Sequence, residues 1–170
     1  MKNILFLFLF LFVACDNGTA INNVEKRVSK ETYSLISLDS KKIIFNKKEE
    51  NLINSNKPYL LVFLSTWCNY CLGQAQHIAN INDEFGEKLN IYGIFVDKDE
   101  DLSRLREFVE KSNTKFSWFY KGDISKLVES YSISTFPFML LYDKDGKLIM
   151  SYDGLTPEEM ISFDIKKIVG

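Results

Sequence analysis

The chain has 170 residues, 46% of them hydrophobic, enough to close one core of helices and sheet and too many for a disordered or low-complexity protein. Lysines and arginines number 21 against 23 aspartates and glutamates, a formal net charge of −2, so the charge balance gives no reason to expect a nucleic acid or another polyanion as partner. Three cysteines are too few for a disulfide scaffold, and the single histidine beside them leaves little material for a zinc or haem site. No metal and no cofactor is expected.

Met1-Lys2-Asn3 leads into an unbroken apolar run of eleven residues from Ile4 to Ala14, which over 1–14 is the layout of a signal peptide. As a helix the run would reach only about 16 Å, roughly half the hydrocarbon core of a bilayer, too short for a stable transmembrane anchor. It ends Phe12-Val13-Ala14-Cys15 and gives way to Asp16-Asn17-Gly18-Thr19. This ending resembles the lipobox of bacterial lipoproteins, whose cysteine is acylated and becomes the first mature residue; it departs at Phe12, where leucine is usual. The resemblance implies a lipid on Cys15 and a folded domain held at a membrane surface, several buried acyl chains supplying ~0.8 kcal/mol per CH₂. An ordinary cleaved signal that contains a cysteine is the other reading. Residues 15–31 are polar and without periodicity and read as a flexible tether, which at up to ~3.4 Å per residue spans tens of ångströms.

From Thr32 the pattern changes. Thr32–Leu38 and Lys42–Phe45 flank Asp39-Ser40-Lys41 and predict a hairpin. Lys47 to Asn56 is charged and predicts a short exposed helix, and Tyr59–Leu64, apolar throughout, suits a strand buried on both faces. Thr66 is placed to cap a long helix on which Leu72, Ala75, Ile78, Ala79, Phe85 and Leu89 recur at helical spacing. Then come a strand at Ile91–Val96, a helix with Leu102, Leu105, Phe108 and Val109 on one face, a strand at Phe116–Tyr120 and a short helix behind Asp123. This alternation predicts a largely parallel sheet. Phe138–Tyr142 and Lys147–Tyr152 form a second hairpin around Asp145-Gly146, and Thr156-Pro157-Glu158-Glu159 predicts a capping box with proline at the first position of a final helix.

Between the buried strand and the long helix stands Ser65-Thr66-Trp67-Cys68-Asn69-Tyr70-Cys71, two cysteines one turn apart at a helix N-terminus. Unpaired N–H groups and the helix dipole stabilise negative charge there and favour the thiolate of the first cysteine. Two other uses of such a pair are a structural disulfide and half of a zinc site. A loop this short would stabilise the fold by only ~2 kcal/mol. Zinc would want two more ligands, and the lone His77, six residues past Cys71, points well away from it on the same helix.

A strand, Trp-Cys-x-x-Cys at the head of a helix, and a later proline opening a strand hairpin resemble thioredoxin. More narrowly, the chain resembles the extracytoplasmic, membrane-tethered TlpA/ResA/CcmG-like thioredoxins, which carry an N-terminal hairpin and an extra helix and strand before the proline. Tyr131–Gly146 is similar to that family's Y-x-[IV]-x-x-x-P-[TF]-x-x-[LIV]-x-D-x-x-G stretch, and the likeness covers roughly 32–170. It implies an α/β thioredoxin fold with a mixed sheet flanked by helices. It also implies that Cys68 is the exposed nucleophile, Cys71 the resolving thiol, and Pro137 a cis proline facing them, while Phe136 offers its backbone to an extended substrate. Trp67, Asn69 and Tyr70 would shape the docking surface. The implied partners are extracytoplasmic protein disulfides, such as those of apocytochrome c or copper-site assembly proteins, and a membrane dithiol donor. No dimerisation segment is evident, and a monomer is expected. A disulfide donor or isomerase of the same fold, or a redox-silent binding module, is the alternative.

The departures from the family are specific. Cytoplasmic thioredoxins carry a buried aspartate six residues before the first cysteine, where this chain has Val62; ResA-like members carry a glutamate three residues after the second, where it has Gln74. No carboxylate stands at either place to take the proton of Cys71. Asn69-Tyr70 matches neither the Gly-Pro of thioredoxin nor the Pro-His of a strong oxidant, and Phe136 is bulky for its place. Asp97-Lys98-Asp99-Glu100-Asp101 lacks the glycine and distal glutamate of a calcium loop and reads as a solvated helix start.

Overall fold

The computed structural model describes residues 32–46, 55–97 and 101–170; the signal-like run, Cys15, the tether and most of the charged stretch 47–56 lie outside the described residues. The centre of the molecule is β3 (Tyr59–Leu64), buried at every position. Its alternation explains the unbroken apolar run. Leu60, Val62 and Leu64 face one core cluster, and Tyr59, Leu61 and Phe63 face another, as successive side chains of a strand must.

Around β3 a seven-stranded sheet runs β2-β1-β5-β4-β3-β6-β7. The N-terminal hairpin is β1 (Thr32–Ser37) and β2 (Lys42–Asn46); β4 is Asn90–Phe95, β5 Ser117–Gly122, β6 Phe138–Tyr142 and β7 Leu148–Asp153. β4 pairs in parallel with β3 and β5, whereas β1–β2, β1–β5, β3–β6 and β6–β7 are antiparallel. The expectation of a largely parallel sheet is therefore corrected: only the βαβ centre is parallel, and the flanking hairpins turn the rest antiparallel. The fold class is α/β with a mixed sheet, and the central insertion is α2 (Leu102–Ser112) with β5.

Helices cover both faces. α1 (Cys71–Phe85), α2 and α4 (Glu158–Val169) pack on one side through Ala75, Ile78, Leu105, Phe108, Ile161 and Ile165. α3 (Ile124–Ser130) covers the other through Ile124 and Leu127. Two helix starts differ from the sequence reading. Tyr70, not Thr66, occupies the N-cap of α1 and makes no side-chain cap bond. Pro157 sits at the N-cap of α4 rather than inside it, and the Thr156 hydroxyl donates to the Gly154 carbonyl at 3.2 Å instead of closing a capping box. α2 is capped by Asp101, which accepts the N–H groups of Ser103 and Arg104.

The space between β4, β5 and α2 is filled by aromatic rings. Trp118 stacks on Phe95 at 4.5 Å, meets Phe116 at 5.0 Å and Phe108 edge-on at 5.9 Å, and donates its indole N–H to the Thr114 hydroxyl at 2.8 Å. Gly93 lies directly beneath it: a Cβ there would stand 2.3 Å from Trp118 Cε3. With the indole boxed in on every side, Gly93→Ala overpacks the core and should cost about 1–3 kcal/mol. The check is a urea titration, with a lowered midpoint at unchanged slope.

Candidate active site

The register of β3 against β6 brings two distant pieces of chain together. Phe63 pairs with Phe138, so the residues that follow β3 lie beside those that precede β6. The first group makes the turn from Ser65 to Tyr70 and leads into α1; the second is Phe136-Pro137, joined by a cis peptide bond. Cys68 and Cys71 are linked as a disulfide with a Cα–Cα separation of 5.4 Å. Cys71 is the first residue of α1 and fully buried, while Cys68 stands in the turn before it and is half-exposed. The Sγ of Cys68 lies 3.4 Å from the carbonyl oxygen of Phe136.

A carboxylate that the sequence placed only in a solvated helix start holds this turn. Asp97, just past β4, accepts the Thr66 N–H on both oxygens at 3.1 Å and the Thr66 hydroxyl at 2.5 Å. The Ser65 hydroxyl oxygen, 3.5 Å from Asp97 Oδ1, accepts the Trp67 N–H at 3.3 Å. The hydroxyl of Thr66 thus serves the turn rather than the helix end. On the other side, the Gly154 N–H donates to the Pro137 carbonyl at 2.9 Å, and the Thr135 hydroxyl donates to the Asp153 carboxylate. Both strips of chain beside Cys68 are therefore tied to rigid strands.

Trp67 is 66% exposed and meets the Phe136 ring edge-on at 6.1 Å. Below these rings opens a cavity of about 440 Å³, walled by Val96, Ile124, Val128 and Ile133 and edged by Asp97, Arg104 and Glu129. A second hollow of about 260 Å³ lies on the far side of Cys68, lined by Asn69, Leu72, Phe108 and the charged Arg104, Glu107 and Lys111. Arg104 borders both. It is carried there by α2, whose capping Asp101 has its carboxyl held below the ordinary value, first by the Ser103 hydroxyl and then by the Arg104 N–H.

Of the residues singled out from sequence, Trp67, Cys68, Cys71, Phe136 and Pro137 converge. Asn69 lines the second hollow, Tyr70 is exposed and lines neither cavity, and Cys15 lies outside the described residues. His77 is half-buried, with Nδ1 3.4 Å from the Thr156 carbonyl. Among the described residues no three histidine, cysteine or carboxylate groups converge to hold a metal ion. The arrangement is suited to thiol chemistry: one reachable sulfur, a second sulfur beneath it, and the Phe136 carbonyl alongside. Asp97, Arg104 and the α3 wall were missed. Asp97 carried a usable signal, its place at the C-terminal end of a central parallel strand.

The comparisons with known proteins agree with this geometry. A family model described as thioredoxin-like matches residues 56–148. The chain is similar to the thiol-disulfide oxidoreductase ResA of Bacillus cereus, 25% identical over 175 residues and covering 98% of this chain and 97% of that protein. The thioredoxin domain of a thiol-disulfide oxidoreductase from Bacteroides vulgatus superposes with a TM-score of 0.67 at 19% identity, covering 83% of this chain and 95% of that one. The exposed lipoprotein thioredoxin of Streptococcus pneumoniae gives 0.62 at 19% identity, covering 80% and 98%. At those identities the solved structures speak for the fold.

Asp97→Ala would leave the Thr66 N–H and hydroxyl without their acceptor. For a half-exposed, charge-assisted set the loss should be about 1–2 kcal/mol, and amide hydrogen exchange at Thr66 and Trp67 should quicken ahead of the global rate. Asp97→Asn, which keeps one acceptor oxygen, should lose less on both measures.

Proposed function

The chain belongs to the thioredoxin-like family, and from that premise we propose that Cys68 and Cys71 are the working dithiol with which it reduces disulfides in extracytoplasmic partner proteins. It is a thiol-disulfide oxidoreductase; the direction, the partners and the role of each residue are our reading. The observation that carries the assignment is the unlike exposure of the two sulfurs, Cys68 half-exposed and Cys71 at 0%. Only Cys68 can meet an incoming protein disulfide.

The reaction balances in two exchanges. The Cys68 thiolate attacks one sulfur of the partner disulfide, forming a mixed disulfide and releasing the other partner sulfur as a thiolate, which takes a proton. Cys71 gives up its proton and attacks Cys68 Sγ, closing Cys68–Cys71 and releasing the second partner thiol. Two electrons pass to the partner, and a membrane dithiol donor must return them. The α1 N-terminus favours the Cys68 thiolate. The Phe136 carbonyl beside Cys68 supports docking of an extended segment by strand-like pairing, with Pro137 shaping that edge. Trp67 and Phe136 line the apolar cavity, Asn69 lines the second hollow, and the exposed Tyr70 would add to the docking surface outside both.

The resemblance to the TlpA/ResA/CcmG group supports apocytochrome c or a copper-site assembly protein as the substrate class. The lipobox-like ending at Cys15 supports a lipid-anchored, extracytoplasmic protein, and the pneumococcal structural neighbour is itself described as an exposed lipoprotein; a monomer is our reading because the sequence offers no evident dimerisation segment. One feature favours the reverse direction as a second reading: Val62 and Gln74 replace both carboxylates that would accept the Cys71 proton, which suits a disulfide donor.

The test is the equilibrium reduction potential of the pair in the chain carrying Cys15→Ser. A value near or below ~−270 mV makes it a reductant, and one near ~−120 mV reverses the direction. In parallel, Cys71→Ala should accumulate a mixed disulfide with partner proteins while Cys68→Ala forms none. Trapping through Cys71 instead would overturn the assignment of the nucleophile.

A further inference from the structure

Gln74 lies on the inner face of α1 and is 0% exposed. Its Oε1 accepts the Thr156 N–H at 2.7 Å. Because a backbone N–H can only donate, the oxygen must be the atom that faces Thr156, and this fixes which way the carboxamide points. The NH₂ group is thereby turned away from Thr156, and Nε2 is buried with no hydrogen-bond partner among the described residues. A buried donor left unpaired costs about 1–3 kcal/mol, so it calls for a partner that the disulfide form does not provide.

The fold places one close by. Gln74 stands three residues after Cys71, one turn on along the same helix face, and long helical side chains lean over the turn on their N-terminal side. Gln74 and the fully buried Cys71 thus occupy neighbouring positions of one helix face, with the unpaired donor free to turn toward the sulfur once the disulfide opens. In the oxidised chain that sulfur is bonded to Cys68 and carries no charge. Once the bond is opened, Cys71 must lose a proton inside an apolar cluster that includes Val62, Leu64, Ala75 and Ile78. The titratable groups on the surrounding elements are engaged elsewhere: Tyr152 and Lys167 with Asp164, Glu107 with Lys111, Asp153 with Thr135, and His77 against the Thr156 carbonyl.

Resting on the dithiol reading above, we propose that Gln74 is a positioning residue for Cys71: in the reduced protein its carboxamide N–H donates to the Cys71 sulfur and stabilises the thiolate that resolves the mixed disulfide. No proton or electron passes through the amide. The Cys71 proton leaves to solvent, and the sulfur pair forms and breaks as before.

The experiment uses the chain carrying Cys15→Ser, with Cys68 loaded as a mixed disulfide with 5-thio-2-nitrobenzoate. Attack by Cys71 closes Cys68–Cys71 and releases the coloured thiolate in a first-order step. Its pH profile is read for the native Gln74 and for Gln74→Met, which keeps the volume and loses the donor. The expected result is a midpoint about one pH unit higher in the variant and roughly tenfold slower release at neutral pH. As a check that needs no variant, the Gln74 side-chain NH₂ resonance should move on reduction and titrate together with the Cys71 β-carbon. Coincident profiles, or an NH₂ resonance indifferent to the state of Cys71, would overturn the proposal while leaving the dithiol reading intact. A native mixed disulfide that releases no thiolate at any pH would sink both.

Discussion

The pairing of β3 with its two neighbours is the constraint on which the site depends. β3 runs parallel to β4 and antiparallel to β6, so its C-terminal end meets the end of β4 on one side and the beginning of β6 on the other. Three pieces of chain far apart in sequence are thereby delivered to one edge of the sheet: the turn with Cys68, Asp97 beyond β4, and Phe136-Pro137 before β6. A one-residue slip of β6 would turn Met139 and Leu141 toward the wrong core, so the burial of six consecutive β3 residues fixes the register. The geometry around Cys68 is in this sense a consequence of core packing.

What the sheet brings together, hydrogen bonds hold still. The turn from Ser65 to Tyr70 has no helical ladder of its own, since α1 begins only at Cys71. Its first residues are instead tied to Asp97, and the opposing strip is tied to β7 through Gly154 and Asp153. A sulfur on a braced turn keeps its distance to the Phe136 carbonyl, which is what the proposed docking would require, since a partner segment would have to meet the reactive atom and the backbone edge at the same time. The charged rim adds direction. Arg104 stands between two hollows of unlike character, one walled mainly by aliphatic side chains and one bordered by Glu107 and Lys111.

Much of this was readable in the residues, for identifiable reasons. Both hairpins, β3 and the inner face of α1 follow from local periodicity, which a sequence displays directly. The cysteine pair and Phe136-Pro137 were found as motifs, and the structure places them against each other. The failures share one cause. Thr66 has the chemistry of a helix cap, but its hydroxyl finds a carboxylate 31 residues away. Thr156 has the spacing of a capping box, but its hydroxyl turns back to Gly154 and its N–H is taken by Gln74. The alternation of strands and helices predicted a parallel sheet because it does not reveal that β1 lies against β5, more than eighty residues on. Asp97, Arg104 and the α3 wall belong to the site only through such adjacency. Each miss is a tertiary partner outcompeting a local one.

The two sulfurs, finally, live in different solvents. Cys68 is half-exposed at the surface, while Cys71 sits beneath it in a mainly apolar cluster, with Gln74 one turn away on its helix face. In the proposed mechanism an exposed first sulfur makes the opening attack selective for whatever docks at the Phe136 edge. In the same proposed mechanism a buried second sulfur attacks only Cys68 and is kept from stray disulfides by its burial. That separation orders the reaction in time. It also moves the control of direction inward, because the stability of the reduced pair depends on how the interior treats a charge on Cys71. Where the resemblance noted in the sequence implies a carboxylate, this chain has the amide of Gln74, whose oxygen already accepts the Thr156 N–H. On the proposed role of Gln74, the interior would offer the sulfur a donor but no base, and the reduced state would be sensitive to one hydrogen bond.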